Sequence, residues 1–408
     1  MSICSINHKR NRQPLQAIWN VGIRCTYDCS YCPSSRHSLT KDMTSLEDLM
    51  KSANFIIDYF KMQNKYLKDV HFCLDVTGGE PTVNPHLETV IRYTRQELEK
   101  VSGLLFEISL TTNGWFAKNK YNMVRDCFDT ITVSYHAEQN SAQRELVIQN
   151  IKDLHQDTIS GDYKLEDVRV NVMMHEDPDL FQDCQDVIQE LDNFSSEKKV
   201  VVRPRTIDRD DSGQSRGRKK TKIKESRFGP TSGKSYTDKQ LTEIKKQYTK
   251  KYNIDKSIEF KVGKWKEGKN MKQVNGRPCC GGVTMTVENN GSWSDTKMIF
   301  DRNFQGWNCL VALEWLYIEQ EDDEVFTHQT CKANFNNEKG PIGKISESEK
   351  ILEMFSNYYN KGQMPVIRCP NVKCSCGICT PKSTSKDTIT EFLKLKSDNL
   401  IPIFSEEA

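Results

Sequence analysis

Three cysteines fall within eight residues, Cys25, Cys29 and Cys32, at the spacing C-x3-C-x2-C. Thiolates this close in sequence suit a soft metal ion or an iron–sulfur cluster. A cubane [4Fe–4S] cluster has four irons, so three thiolates leave one iron open to a substrate or cofactor. A zinc knuckle or a set of buried thiols is the plainer alternative. The aromatic Tyr31 directly precedes the last cysteine. Further on, the run Leu74-Asp75-Val76-Thr77 ends in Gly78-Gly79-Glu80-Pro81. It reads as a strand with a sharp turn at its C-terminal end. Glycines there let the backbone approach a ligand closely, and Glu80 can accept a hydrogen bond from an ammonium group. A third constellation lies near the C-terminus: Cys279, Cys280, Cys309, Cys331, Cys369, Cys374, Cys376 and Cys379. These thiolates are enough for one or two further clusters. A tetrahedral zinc on Cys369, Cys374, Cys376 and Cys379 is the structural alternative.

Together the first two motifs resemble the radical S-adenosylmethionine (SAM) superfamily, with its C-x3-C-x-aromatic-C loop and its Gly-Gly-Glu-Pro turn. The resemblance implies that Cys25, Cys29 and Cys32 hold a catalytic [4Fe–4S] cluster whose open iron binds SAM. It implies reductive cleavage of SAM to methionine and a 5′-deoxyadenosyl radical, and hence an external electron donor. Tyr31, Gly78, Gly79, Glu80 and Pro81 are then expected at the SAM site. Roughly the last third of the chain resembles the SPASM or twitch extensions of that superfamily, which bind one or two auxiliary [4Fe–4S] clusters. Here the chain departs from the pattern. The acidic run Glu321 to Glu324 replaces a glycine turn, and the terminal cysteines are spaced x4, x1, x2.

The elements that must position these groups alternate strand and helix. Strands are expected over Ala17–Arg24, Val70–Val76, Leu104–Leu110, Thr130–Tyr135, Val168–Met174 and Lys199–Arg203. Helices are expected from a Thr44–Glu47 capping box onward and over Pro85–Glu99, Lys118–Cys127, Ser141–His155 and Leu180–Leu191. Six such units argue for an α/β fold with a parallel sheet, short of the eight that close a barrel. A partial (β/α)6 barrel is also what the resemblance implies. Ligands of parallel sheets bind at the C-terminal strand edge. Asn113, Ser134 and Asn171 lie near such edges, and in similar enzymes that edge contacts SAM. His136 and Glu138 follow the fourth strand, where the superfamily often shows Ser-x-Asp-Gly.

The 408 residues suggest two or three domains. We place a barrel at 1–205, a basic insertion with a linker helix at 206–275, and a small cysteine-rich α+β domain at 276–408. A helix is expected over Thr237–Tyr252, capped by Thr237 with Gln240. Two hairpins are expected in the C-terminal region, one around Asn289-Asn290-Gly291 and one around the acidic turn, and a helix over Glu347–Tyr358. The net charge of +2 supplies no global field for nucleic acid or membrane. Arg216, Arg218, Lys219, Lys220, Lys222, Lys224 and Arg227 crowd together without aromatics between them, which fits a solvated loop better than a phosphate-binding arm. Met1 to Gln16 lacks an apolar core of signal-peptide length, and no apolar run is long enough to span a bilayer. A cytoplasmic setting is therefore expected. There, clustered cysteines point to metal rather than disulfides. Cys4, Cys73, Cys127 and Cys184 read as ordinary thiols.

The first expected activity is radical modification of a peptide or protein. The alternatives are a nucleotide or nucleic acid substrate, and a non-catalytic iron–sulfur or zinc binding protein.

Overall fold

The computed structural model describes residues 2–3, 14–32, 36–68, 71–194, 197–207, 236–251, 283–287, 293–298, 305–309, 311–329, 331–370, 382–383 and 403–404. Six strands form the centre: β1 (Pro14–Asn20), β2 (His71–Thr77), β3 (Leu105–Thr112), β4 (Thr130–His136), β5 (Asp167–Met174) and β6 (Val201–Thr206). They pair in chain order, every neighbour parallel. Helices α1 (Leu46–Tyr66), α2 (Leu87–Glu99), α3 (Lys118–Cys127), α4 (Ser141–Ser160) and α5 (Pro178–Phe194) return the chain from each strand to the next. The result is the expected mixed α/β fold, a parallel sheet arranged as a partial (β/α)6 barrel.

Alternation along the strands sorts the two faces. On β5, Val168, Val170, Val172 and Met174 are buried in the apolar core, while Arg169, Asn171 and Met173 are only partly covered. On β6, the buried Val202 alternates with the exposed Val201 and the partly covered Arg203. One face is therefore a helix-backed apolar layer. The other carries Ser134, Asn171, Arg203 and Arg205 towards its C-terminal edge. The register sets Ser134, Asn171 and Arg203 side by side, with His136, Met173 and Arg205 in a row beyond them.

A strand from the far end of the chain completes the sheet. β7 (Trp315–Glu319) lies parallel to β1 on its open side, Trp19 opposite Ile318. β8 (Glu324–Phe326) and β9 (Gly343–Lys344) continue antiparallel. The β7–β8 hairpin turns through the acidic run, with Asp323 at φ 54°. α7 (Ser348–Asn360) packs on α1, where Tyr359 donates its hydroxyl to Gln63 Oε1 at 2.6 Å. Val311, Leu313, Leu316, Ile351 and Phe355 share one apolar core with the barrel residues. The other expected hairpin forms as well, Val283–Val287 against Trp293–Met298, in a separate sheet that also holds Asn308–Cys309 and Ile367–Arg368.

Three local features have physical causes. The α1 cap is Ser45, which accepts from Asp48 N–H at 3.2 Å, not the expected Thr44–Glu47 box. Thr44 is engaged elsewhere, donating its hydroxyl to the Val21 carbonyl at 2.6 Å. β1 ends at Asn20, short of the expected Arg24, since Val21 to Arg24 leave the sheet to begin the cysteine loop. Helix α6 (Asp238–Lys251) keeps the expected reciprocal cap. Thr237 N–H donates to Gln240 Oε1, and Gln240 N–H to Thr237 Oγ1. The basic segment lies outside the described residues. Among those described, no helix is long and apolar enough to cross a membrane.

Candidate active site

The cysteine loop leaves β1 and crosses the C-terminal edge of the sheet. Its first leg rests on the turn after β2. Val21 N–H donates to Thr77 O, Gly79 N–H to Gly22 O at 2.9 Å, and Glu80 N–H to Arg24 O at 2.7 Å. A Cβ on Gly79 would stand 2.5 Å from the Ile23 carbonyl oxygen and closer still to that of Arg24. One on Gly78 would stand 2.6 Å from Gly22 O. The glycine pair is thus required by the loop itself, whose backbone passes too close for any side chain.

Glu80 is 1% exposed and caps the short turn at Pro81–Val83. Its Oε1 accepts from Thr82 N–H, Thr82 Oγ1 and Thr112 Oγ1, and its Oε2 from Asn113 N–H at 2.6 Å. Burial raises its pKa, and these donors oppose the rise. An incoming ammonium would meet a carboxylate that already holds four bonds. Asn113 carries the tie onward: its Nδ2 donates to Thr26 Oγ1 at 2.9 Å and its Oδ1 accepts from Trp115 N–H. Asn171 Oδ1 accepts from Arg205 Nε at 3.1 Å, and Ser134 is its register neighbour.

Cys25, Cys29 and Tyr27 form a small buried cluster of their own, with Cys32, Tyr31 and Trp115 packed against it. Tyr27 stacks on Trp115 at 5.9 Å between ring centroids. Tyr31 stacks on His136 and hydrogen-bonds its Nδ1. That nitrogen also lies 3.4 Å from Cys29 Sγ. Burial pushes the Cys29 thiol well above the ordinary range, with Cys32, Glu138 and Cys25 adding to the rise. Cys25 is raised by burial as well. Desolvation pushes His136 down to about 4, with Glu138 acting in the opposite direction, so the ring is neutral at pH 7.

Among the described residues, no three His, Cys, Asp or Glu side chains converge as they would on a single metal ion. A cubane cluster does not ask for that, because each thiolate binds an iron of its own. Three thiols on one loop, walled by aromatic rings and joined by no disulfide, fit such a group.

The C-terminal cysteines are placed less fully. Cys279, Cys280, Cys374, Cys376 and Cys379 lie outside the described residues, as does Cys4. Cys309 and Cys369 come from adjoining segments: Cys309 pairs with Ile367, and Cys369 N–H donates to Trp307 O at 2.7 Å. Cys331 follows the β7–β8 hairpin and is half-buried. Cys73, Cys127 and Cys184 are buried and unbridged, as expected of ordinary thiols.

Two residues outside the expected set belong to this site. Glu138 accepts from Ser30 N–H at 2.8 Å and from the Ser30 hydroxyl, and His175 Nε2 lies 3.2 Å from Glu138 Oε1. Both stand just past strand ends, which was the available signal. Their pairing with the loop is a tertiary fact with no sequence spacing.

Part of the chain is similar in sequence to known proteins. Residues 19–160 match the family model of the Radical SAM superfamily. The chain is 24% identical over 156 residues to a "Probable GTP 3′,8-cyclase" of Halobacterium salinarum, covering 38% of this chain and 41% of that protein. It is 34% identical over 97 residues to a "GTP 3′,8-cyclase" of Rhizobium meliloti, covering 23% of this chain and 24% of that one. The matched stretch thus spans less than half the length of these curated relatives. Among solved structures, "Native anSMEcpe with bound AdoMet" is similar at 14% identity and a TM-score of 0.45, covering 86% of this chain and 83% of that chain. The loop, the turn that receives it and the three strands β2, β3 and β4 all fall inside the stretch that matches the Radical SAM superfamily.

Proposed function

We propose that the protein is a radical SAM enzyme that holds a [4Fe–4S] cluster on Cys25, Cys29 and Cys32 and binds SAM at the C-terminal edge of the sheet. Bound there, the cluster would supply the electron for reductive cleavage of SAM to methionine and a 5′-deoxyadenosyl radical, which would take a hydrogen atom from the substrate. The observation that carries this reading is the seating of a three-cysteine loop on the glycine turn after β2, inside the family match.

The protein's own groups would act as follows. Cys25, Cys29 and Cys32 donate thiolates to three irons. Gly78, Gly79 and Pro81 hold the loop leg close to the sheet, and Glu80 and Asn113 lock the ends of β2 and β3 beneath it. Tyr31, Trp115 and Tyr27 keep water from the thiolates. Ser134 and Asn171 offer polar groups for the carboxylate or ribose of SAM.

The substrate lies beyond that edge. The row Ser134, Asn171 and Arg203, with Arg205 above it, presents guanidinium groups that suit an anionic substrate. Together with the printed names of the relatives, this favours a nucleotide over the peptide or protein suggested by the resemblance to SPASM enzymes. We also propose that the C-terminal cysteines hold one or two auxiliary clusters, which would anchor substrate or accept an electron.

Anaerobically reconstituted protein, given a low-potential electron donor and SAM, is expected to form 5′-deoxyadenosine. The triple variant Cys25→Ala/Cys29→Ala/Cys32→Ala is expected to form none. Unchanged formation by that variant refutes the assignment. For the substrate, Arg203→Gln and Arg205→Gln are expected to weaken GTP binding, and wild-type affinity in both overturns the nucleotide reading.

A further inference from the structure

The turn that leaves β4 meets the cysteine loop residue against residue. Glu138 is 3% exposed and takes both the backbone N–H and the hydroxyl of Ser30, the residue that follows Cys29. His175, from the end of β5, is 7% exposed. Its Nδ1 accepts from Asp177 N–H at 3.0 Å, which leaves Nε2 to carry the proton donated to Glu138 Oε1 at 3.2 Å. Gln139, next in the turn, donates Nε2–H to Cys29 Sγ at 3.6 Å. The turn after β4 thus grips the loop at its middle cysteine, and His175 from the end of β5 braces that turn.

The carboxylate in this grip is anionic. Burial disfavours its charge, but the donors from His175 and Ser30 outweigh burial and bring its pKa below the usual carboxylate value. Hydrogen bonds to an ionised acceptor are the stronger kind. The carboxylate bonds Ser30, the residue that follows Cys29, which sets its charge beside that cysteine. Net charge and hydrogen bonding near the sulfurs help set the potential of an iron–sulfur cluster. Fixed negative charge resists the arrival of an electron.

Building on the proposed cluster, we propose that Glu138, oriented by His175, is a positioning residue that fixes the cysteine loop on the sheet edge and, through its charge, makes a cluster bound at Cys29 a stronger reductant. The ordering half concerns the chain alone. The bonds to Ser30 are made by protein groups only, so this half can be tested on the metal-free chain.

The test uses the full chain with Glu138→Gln and Glu138→Ala. Glu138→Gln keeps the shape and an acceptor for Ser30 N–H but removes the charge. It is expected to hold wild-type iron and to shift the cluster midpoint, read by a redox titration followed by electron paramagnetic resonance, to more positive potential. A tenfold change in the one-electron equilibrium corresponds to about 59 mV. Glu138→Ala is expected to raise amide hydrogen exchange at Ser30 at least tenfold in the metal-free protein. An unchanged or more negative midpoint in Glu138→Gln, even with a lower melting temperature, overturns the electrostatic role. Unchanged Ser30 exchange in Glu138→Ala overturns the positioning role, and if that variant does not fold, Ser30 exchange in His175→Ala is read instead. If the wild-type chain takes up no cluster, the proposed function fails, while Ser30 exchange still decides the ordering.

Discussion

The two cysteine groups of this chain are built in opposite ways. In the N-terminal loop many residues are tied to the strand ends of the sheet. Arg24 accepts from the turn after β2, Thr26 from Asn113, and Ser30 donates to Glu138, while Tyr31 bonds His136. These ties come from the ends of three different strands. The described C-terminal cysteines, by contrast, sit on short segments: Cys309 on a two-residue strand, Cys369 just past another, and Cys331 beyond a hairpin. A parallel sheet collects the ends of strands remote in sequence at one edge, so a loop laid over that edge can be held at many points. Short antiparallel segments offer fewer anchors, and metal binding itself can supply folding energy there.

Removing the thiolates is the most severe way to break this comparison. In the triple variant lacking Cys25, Cys29 and Cys32, we expect complete loss of 5′-deoxyadenosine formation with iron and sulfide still bound. A variant carrying stoichiometric zinc and no iron would turn the C-terminal region into a structural zinc module. Next in size, replacing Cys374 and Cys376 in that background should strip most of the residual iron. Iron content unaffected by that change would remove these two cysteines from the ligand set.

Smaller effects sharpen the account of the N-terminal loop. Gly79→Ala forces a methyl against the Ile23 and Arg24 carbonyls, which are backbone atoms and cannot rotate away. Overpacking of this kind costs about 1–3 kcal/mol. Urea denaturation should show that loss, accompanied by reduced iron uptake. Glu80→Gln is expected to cost about 1–3 kcal/mol, because one of its four donors then faces an amide N–H. SAM affinity should fall with iron content retained. Unaltered affinity with lowered stability would leave Glu80 as a brace for Asn113 and Thr112 alone.

Much of this was legible in the sequence, and for local reasons. The helix over Lys118–Cys127 and the Thr237–Gln240 cap are set by residues within a few positions of each other. The glycine pair announced a close approach, although the body approaching it is the chain's own loop. What could not be read depended on distant partners. Thr44 looked like a cap until the Val21 carbonyl claimed it. Glu138 and His175 stand 108 positions or more beyond Ser30, with nothing in their spacing to join them. The β7–β8 hairpin was visible from its acidic turn, but the pairing of β7 with β1 left no local trace.

That last pairing has a consequence for how the chain is made. Asn20 on β1 bonds Glu319 on β7 across 299 positions of sequence. At synthesis rates of about 5–20 residues per second, roughly 15–60 s separate the emergence of the two strands from the ribosome. Over that interval β1 presents a bare edge, a template on which another nascent chain can add a strand. The domain bearing the cysteine loop is thus finished late, by a segment outside it. A chain truncated after residue 300 should scatter more light than the full chain at equal concentration; equal scattering would show that the edge is guarded in another way.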